Sequence, residues 1–592
     1  MAEKKRKKQS LLNGALILFI ASAFAEIVGV LYKIPLTDII GAVGRGYTGT
    51  AYNIYIPIYN IAMSGLPVAI SKLVSESAAN GNFKDVKKIF KVAFRLFFVI
   101  GAVGTAVLFA LAYPYAKSID SIQSLPSILM IAPAVFFCSL MSTYRGYYSG
   151  LRNQNPHAIS QMVEVLGKVA FGLSLSYLVQ KIAMQEFSAG NPVFGVVCKT
   201  KEEAISAMTP YAAAASIFGV TMGAVCSLIY LVIRDKIAGD KITKEEIASS
   251  PEPRNSKQLR KLLISIAVPV VVSSIVMNIS NLIDSWSIQF RLQSAINSNL
   301  GVIENMFSSA ISNEAAMSLT ELKSYIYGAY EIALDFRNLV PSVMTSLGLS
   351  AIPVLSEAWA MKNKRTITSS IESVTRTNMI ISLPAGIGMA VLARPILDLV
   401  YGVRPSNAIS SPVMAYYGLF TFIMAFGTPV INMLQGIGRQ DIPMKTVSAA
   451  AIVKVAVNFI LVGIPSINIY GAIIGTFLFY FISLSLNLYY LIKITNVKMN
   501  LFSVFIKPLF CSLICGASAW GFNGLLSDYI PSFGEGRRFS TSSVSCIVAI
   551  LISIVIYALA LLFTKAIAKE DLEMLPGGKK LSPVLERHNL LG

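Results

Sequence analysis

One pattern occurs twice in this chain. Gly150-Leu151-Arg152-Asn153-Gln154-Asn155-Pro156 leads to Lys168-Val169-Ala170. At almost the same interval, Gly436-Ile437-Gly438-Arg439-Gln440-Asp441-Ile442-Pro443 leads to Lys454-Val455-Ala456. Ser75-Glu76 closes an apolar segment in the first half, as Ser356-Glu357 does in the second. The offset is about 280 residues in each case, which marks two copies of one unit. The chain is 54% hydrophobic and only 14% charged, where soluble domains hold roughly 25% charged residues. The repeated unit therefore has lipid as its solvent, and two-copy membrane bundles are the architecture of transporters.

Apolar runs of about 20 residues suffice to cross a hydrocarbon core. They predict spans at 11–33, 47–73, 90–113, 125–148, 158–180 and 207–233, then 261–288, 324–353, 378–400, 411–436, 444–464 and 468–493, with two more at 501–526 and 540–564. The fold class is all-α and polytopic, with about fourteen transmembrane helices in two parallel six-helix repeats plus two extra C-terminal helices. The parts are a basic tail (1–10), a first lobe (11–233), a basic linker (234–260), a second lobe (261–493), the extra helices (501–564) and a C-terminal tail (565–592). An even number of spans returns each half to its starting side, so the working cavity is expected between the halves near the midplane.

A net charge of +19 suggests nucleic acid in a soluble protein, but its distribution points elsewhere. Lys and Arg crowd the tails and alternate loops roughly threefold over the opposite loops, the positive-inside signature. Both termini are thus expected in the cytoplasm of a multi-pass plasma-membrane protein, with anionic lipid and no nucleic acid as partner. The N-terminal Lys4-Lys5-Arg6-Lys7-Lys8 imitates a signal peptide, yet the apolar stretch runs on past Glu26 as a full span. Six cysteines, Cys198 alone in an outer loop, form no disulfide framework. With His157 and His588 as the whole histidine content, metal or His-based catalysis has almost no material. Helix-breaking Gly65-Leu66-Pro67, Pro341, Gly348, Pro353, Pro384, Gly386 and Gly388 suit helices that bend between two states.

Ions inside a bilayer need a partner or a task. Lys168 and Lys454 fall near the midplane at equivalent places in the two repeats, and Lys168 reads either as neutralised by Glu164, one turn before it, or as a cavity cation. Lys454 has Ala450 at that place and needs an acid elsewhere or a polar cavity. Arg337 is near mid-depth in its span and is assigned to a cavity wall, because guanidinium suits bidentate contact with phosphate. Glu331 and Asp335 share a face, so their repulsion makes one of them a candidate proton carrier. Glu26 and Lys33 share a face of the first helix, and Lys33 and Arg45 bracket its outward end. Lys33 also suits interfacial snorkelling. Asp284, Asn458 and Thr476 are candidate ion ligands, and Trp286 and Trp359 suit interfacial anchors.

With these residues in view, the chain resembles the polysaccharide-flippase branch of the MOP exporter superfamily, in particular its MurJ/SpoVB-type lipid-linked glycan flippases. The resemblance is carried by Gly29-Val30-Leu31-Tyr32-Lys33-Ile34-Pro35-Leu36-Thr37, Ile40-Gly41 and Gly65-Leu66-Pro67-Val68-Ala69-Ile70-Ser71-Lys72-Leu73-Val74-Ser75-Glu76. Gly150 to Pro156, Gly436 to Pro443, Pro341 and Ile352-Pro353 fit as well. The resemblance implies two six-helix lobes, two extra helices that help form a groove for a lipid tail, and alternating access. It also implies a cationic cavity for the diphosphate of an undecaprenyl-linked sugar, with Arg337, Lys33, Arg45, Lys454 and Lys168 as the cations present here. Glu26 stands where the family pattern has an arginine. A sodium site of the second lobe finds its best local matches in Asp284, Asn458 and Thr476.

The expected function is a flippase carrying an undecaprenyl-diphosphate-linked wall precursor, lipid II first, from inner to outer leaflet. The alternatives are a cation-coupled small-molecule antiporter on the same scaffold or a flippase for another lipid-linked oligosaccharide. A glycosyltransferase or polymerase needs a compact carboxylate constellation, which the 289–323 loop, with Glu304, Glu314 and Glu321, does not supply. No enzyme activity and no cofactor are expected, with Na+ or H+ as candidate coupling ion. The expected partners are the lipid-linked glycan, membrane lipids and proteins of cell-wall synthesis, around a monomer.

Overall fold

The computed structural model describes residues 11–63, 65–311, 317–497, 499–530 and 540–568. The basic tail 1–10, Glu314 and the C-terminal tail from 569 onward, with His588, lie outside the described residues. Among the described residues the regular structure is helical, apart from an isolated bridge between Val193 and Val196. Nine of these helices are long and apolar enough to span a membrane, or eleven if two bent pairs each count as one span. A bilayer offers no partners for backbone polar groups, so helices that satisfy their own are the form such a chain takes.

The chain divides into two compact units: the described residues through Phe290 with Ser318–Gly328, and the remainder. The first begins with α1 (Leu11–Met63), two helices joined at Gly41, whose backbone (φ 61°, ψ −170°) is left-handed and favours glycine. The first two predicted spans are thus connected by a single residue. Then follow α2 (Leu66–Ala79), α3 (Phe83–Ser118), α4 (Leu125–Gly150), α5 (Asn155–Ser188), α6 (Lys201–Ala238) and the short α7 (Lys244–Ala248). The α5–α6 pair is held by small residues. A Cβ on Gly223 would come within 2.3 Å of the Glu164 carbonyl, and one on Gly219 within 2.6 Å of the Gly172 Cα. In lipid, such close approach replaces the hydrophobic effect as the force between helices.

The helix α8 (Ser256–Ser298) leaves the first unit after Phe290. After α9 (Leu300–Met306) and α10 (Ser308–Ile311), α11 (Leu319–Arg337) begins in the first unit and enters the second after Gly328. Its early turns are fixed to the first unit by Lys323, 1% exposed, whose ammonium donates to the carbonyls of Ile119 and, at 3.0 Å, Asp120. That cation caps the C-terminal end of α3, where the helix dipole favours positive charge.

The second unit continues with α12 (Leu339–Ala360), α13 (Lys364–Val391), α14 (Ala393–Tyr401), α15 (Asn407–Leu419), α16 (Thr421–Gly436), α17 (Asp441–Leu461) and α18 (Tyr470–Thr495). The repeat is visible in helix register. Lys168 stands thirteen residues after the first residue of α5 (155 to 168), and Lys454 thirteen after that of α17 (441 to 454). The second helix of the second half is interrupted at Asn338, between α11 and α12. Elsewhere the breaks differ from expectation. Pro384, Gly386 and Gly388 all lie within α13, and a Cβ on Gly386 would meet the Gly418 carbonyl at 2.5 Å, so that glycine serves close packing. The sharp bends fall instead at Leu392, 80° between α13 and α14, and at Phe420, 48° between α15 and α16.

The extra helices α19 (Lys507–Tyr529) and α20 (Thr541–Phe563) pack as a hairpin against α13 and α14. The Tyr557 hydroxyl donates to the Ile380 carbonyl at 2.7 Å, and Gly516 faces the Ile387 side chain.

The linker is not a loose tether. The Arg254 amide and Nε donate to both oxygens of the fully buried Asp85 at 3.0 and 2.6 Å, and its guanidinium reaches Ser77 at 2.9 Å. Lys84 pairs with Glu252 at 3.2 Å. A capping box between Thr243 and Glu246 starts α7. Burial raises the Asp240 carboxyl, but hydrogen bonds from Lys87 and Tyr147 outweigh it and hold the group below the usual carboxylate range.

Asp85→Ala leaves a guanidinium without its carboxylate, a loss of about 3 kcal/mol. The expected result is a lower melting temperature in detergent and proteinase K cleavage within 239–255, whereas Ser77→Ala keeps the segment protected. A depressed carboxyl contributes stability above the unfolded value and loses it only as pH falls through the lower folded value. The Asp240 contribution is therefore complete at both pH 8 and pH 5, and linker protection is expected to be equal at the two.

Candidate functional site

In the first unit, α1, α4 and α5 bring aromatic rings and charges together. The Lys168 ammonium lies over the Tyr32 ring at 5.2 Å and the Tyr52 ring at 5.4 Å to the centroids. Ring faces attract a cation without cancelling its charge. The Glu164–Lys168 pair is not the one that forms. Glu164 instead accepts from the Arg145 guanidinium at 2.8 Å, and Arg145 Nε donates to Ser160 Oγ at 2.9 Å. Across α4 and α5 a fork-shaped guanidinium reaches Ser160 Oγ and one Glu164 oxygen at once, which a lysine one turn along the same helix does not match. Sequence alone does not single out Arg145, whose available signal is a basic residue inside a span and close to the span's C-terminal end. Beside this pair, Tyr55 and Tyr59 stack at 5.4 Å.

Lys33 and Arg45 lie on either side of the Gly41 turn, Lys33 half-buried and Arg45 only 6% exposed. Arg45 is thus interior to the first unit. Glu26, seven residues before Lys33, is exposed on the unit's surface. Trp286 donates to Ser118 Oγ at 3.0 Å and stacks on Phe290.

The second unit carries a separate set. Arg337 is the last residue of α11, and its guanidinium stacks on the Tyr417 ring at 5.4 Å while Nε contacts Asn338 Oδ1 at 3.3 Å. The Tyr417 and Tyr330 hydroxyls are hydrogen-bonded at 2.9 Å. Asp335 accepts from the Tyr401 hydroxyl at 2.6 Å, so one of the two facing acids has a donor of its own. Glu331 lies one turn earlier and is half-buried. Lys454 lies over the Phe479 ring at 5.8 Å.

The candidate ion ligands divide between the units. Asn458 and Thr476 are buried on the packed pair α17–α18, and Asn458 Oδ1 is so close to Gly475 that a Cβ there would meet it at 1.9 Å. The Thr476 hydroxyl donates to the Ala472 carbonyl at 2.8 Å. Asp284, 7% exposed, belongs to the first unit. Among the described residues no group of three His, Cys, Asp or Glu side chains is arranged to hold a metal. All six cysteines are free thiols. Glu321 is not in a loop but in the first turn of α11, where Ser318 engages it.

The family profile described as Polysaccharide biosynthesis protein matches residues 11–194, and that described as MatE matches 302–460. Stage V sporulation protein B of Bacillus subtilis (strain 168) is 26% identical over 579 residues, covering 96% of this chain and 98% of the relative. Lipid II flippase MurJ of the same organism is 24% identical over 520 residues, 86% of each chain. A solved structure titled Lipid II flippase MurJ, inward closed conformation, superposes with a TM-score of 0.53 at 15% identity, covering 92% of this chain and 98% of that one. The chain has the fold of the MOP superfamily, with MurJ and stage V sporulation protein B among its homologues. It is a multi-pass membrane protein. The first profile contains Tyr32, Lys33, Arg45, Arg145, Glu164 and Lys168, and the second contains Glu331, Asp335, Arg337, Tyr401, Lys454 and Asn458. Asp284 and Thr476 fall outside both.

Tyr401→Phe removes the donor to a half-buried carboxylate and is expected to lower stability by about 1.5–3 kcal/mol. In a double-mutant cycle with Asp335→Asn, thermal unfolding in detergent should return most of that value as coupling. A coupling near zero would place the Asp335 charge on other partners.

Proposed function

We propose that this chain is a flippase that moves an undecaprenyl-diphosphate-linked wall precursor, lipid II first among them, from the inner to the outer leaflet. The observation that carries the reading is how the interior cations are held. Among the described residues, Lys168 and Arg337 are seated on tyrosine rings and not on carboxylates, one in each compact unit. A cation kept this way in low dielectric retains its field for an anionic ligand. The likeness to a lipid II flippase over 86% of the chain favours the same cargo class, and the likeness to a sporulation protein extends the reading to the spore envelope.

In this mechanism the diphosphate headgroup enters a polar cavity, cations neutralise it, and the prenyl chain stays in lipid. Alternating access then requires a difference in affinity between the inward-open and outward-open states, which Na+, H+ or the membrane potential supplies. Lys33, Arg45 and Lys454 are the further cations of this reading, with Glu26, Glu331 and Asp335 as acidic partners. Both termini are cytoplasmic, the working form is a monomer, and no bond is made or broken. A second reading, a cation-coupled small-molecule antiporter, draws on the MatE match over 302–460, but organic cations call for acids as the main cavity charges.

The test uses cells depleted of their own lipid II flippase, expressing this chain or Arg337→Ala at equal levels. Lipid II accessible to a membrane-impermeant probe is then measured. Restoration by the wild type, and a reduction of tenfold or more in the variant, is the expected outcome. Restoration by both would make Arg337 structural, and restoration by neither would move the assignment to other prenyl-linked glycans or to small cations.

A further inference from the structure

We propose that Glu164 is a built-in stand-in for the transported anion, which occupies Arg145 in the empty protein and is handed to Lys168 when a diphosphate arrives. The inference rests on the diphosphate reading above and adds to it a residue that limits how tightly the cargo is held.

The argument begins with the geometry of the pair. Arg145 directs Nε to Ser160 and one terminal nitrogen to a single oxygen of Glu164. A guanidinium has five donors in a rigid fork, so this carboxylate satisfies it only in part. A phosphate group, with more oxygens and more charge, offers the same fork a better match. Burial sets the second condition. Arg145 is 12% exposed and Glu164 25% exposed. A cation so enclosed needs an anion at all times, since removing its partner leaves an uncompensated buried charge. The more exposed carboxylate is the member of the pair able to move.

The third condition is a place for Glu164 to go. Lys168 lies one turn further along α5, in the acid-first i, i+4 order that brings such side chains together. Its ammonium rests on two neutral rings and, among the described residues, has no carboxylate within ion-pair distance. A change of side-chain rotamer therefore transfers Glu164 from one cation to the other with α5 unchanged. The triad carries one net positive charge throughout. A site with Glu164 removed carries two, binds a diphosphate more tightly and releases it more slowly. Glu164 thus weakens the loaded state by competition, which a carrier needs if its cargo is to leave.

The probe is inorganic pyrophosphate, titrated by calorimetry into the full-length protein in detergent. Glu164→Gln is expected to tighten binding about tenfold, and Arg145→Gln to abolish it. Lys168→Gln should weaken binding most in the wild-type background, where Lys168 receives the displaced carboxylate, and weaken it less beside Glu164→Gln, where only its own charge is lost. That dependence on background is not produced by a merely structural ion pair. Unchanged or weaker binding by a monodisperse Glu164→Gln variant overturns the proposal, as does absence of pyrophosphate binding in both wild type and variant. Glu164→Asp, whose shorter acid retreats from Arg145, serves if the glutamine variant does not fold, with the same tightening expected. Failure of both to yield monodisperse protein makes the pair a folding requirement and ends the proposal. Tightened pyrophosphate binding in a protein that restores no lipid II keeps the stand-in and transfers it to another phosphate-bearing cargo.

Discussion

Lipid does not solvate polar groups, and nearly everything distinctive in this protein follows from that. Backbone groups are satisfied inside helices, and where helices break the protein itself has to supply partners. Charges in the spans are subject to the same rule, with a larger penalty for failure. The solutions differ from site to site. Arg145 has a carboxylate and a serine, Lys323 has the carbonyls at the end of α3, and Lys168 and Arg337 have aromatic faces. Lys323 is capped and serves the architecture, whereas Arg145 is neutralised by a carboxylate that a competing anion can displace. The last two are stabilised while remaining electrostatically available, which is the property a binding site requires.

The same solvent explains how the helices hold to one another. Apolar side chains gain nothing by leaving lipid for a protein interface, so association depends on close approach and on polar contacts. The glycine-lined α5–α6 seam supplies close approach. It also fixes α5, the helix that presents Glu164 and Lys168, at a defined depth and rotation. Charge placement on α5 is therefore precise because the seam beside it is tight.

Much of the fold was legible in the sequence because its signals are long and redundant. The repeated Gly-to-Lys interval reappears as equal register of Lys168 and Lys454 in α5 and α17, and hydropathy placed a span on each long helix, although α8 runs ten residues past its predicted end and α13 begins fourteen before its predicted start. Helix breaks were harder. Proline and glycine mark where a helix tolerates a bend, but tertiary packing decides whether it takes one, so α13 runs through Pro384 and turns at Leu392. The candidate site was legible in residue type and not in pairing. Glu164 was weighed as a partner for Lys168, the cation one turn along its own helix, but the cation it meets lies on another helix, nineteen positions earlier. Arg145 was hidden by its position near the end of a span, where a basic residue is ordinarily topogenic.

The docked linker has a consequence for biogenesis. Asp85 is completed only by Arg254, which follows it by 169 residues (254 − 85). At about 5–20 residues per second, the ribosome takes on the order of ten to thirty seconds to deliver that partner. Throughout this interval the nascent first half presents an acid whose permanent cover has not been made. Insertion of the early helices and closure of the face that carries Asp85 are therefore separate events in time. The second waits for sequence that lies beyond the last helix of the first repeat, so a gene cut at the end of that repeat would encode a half that cannot seal itself.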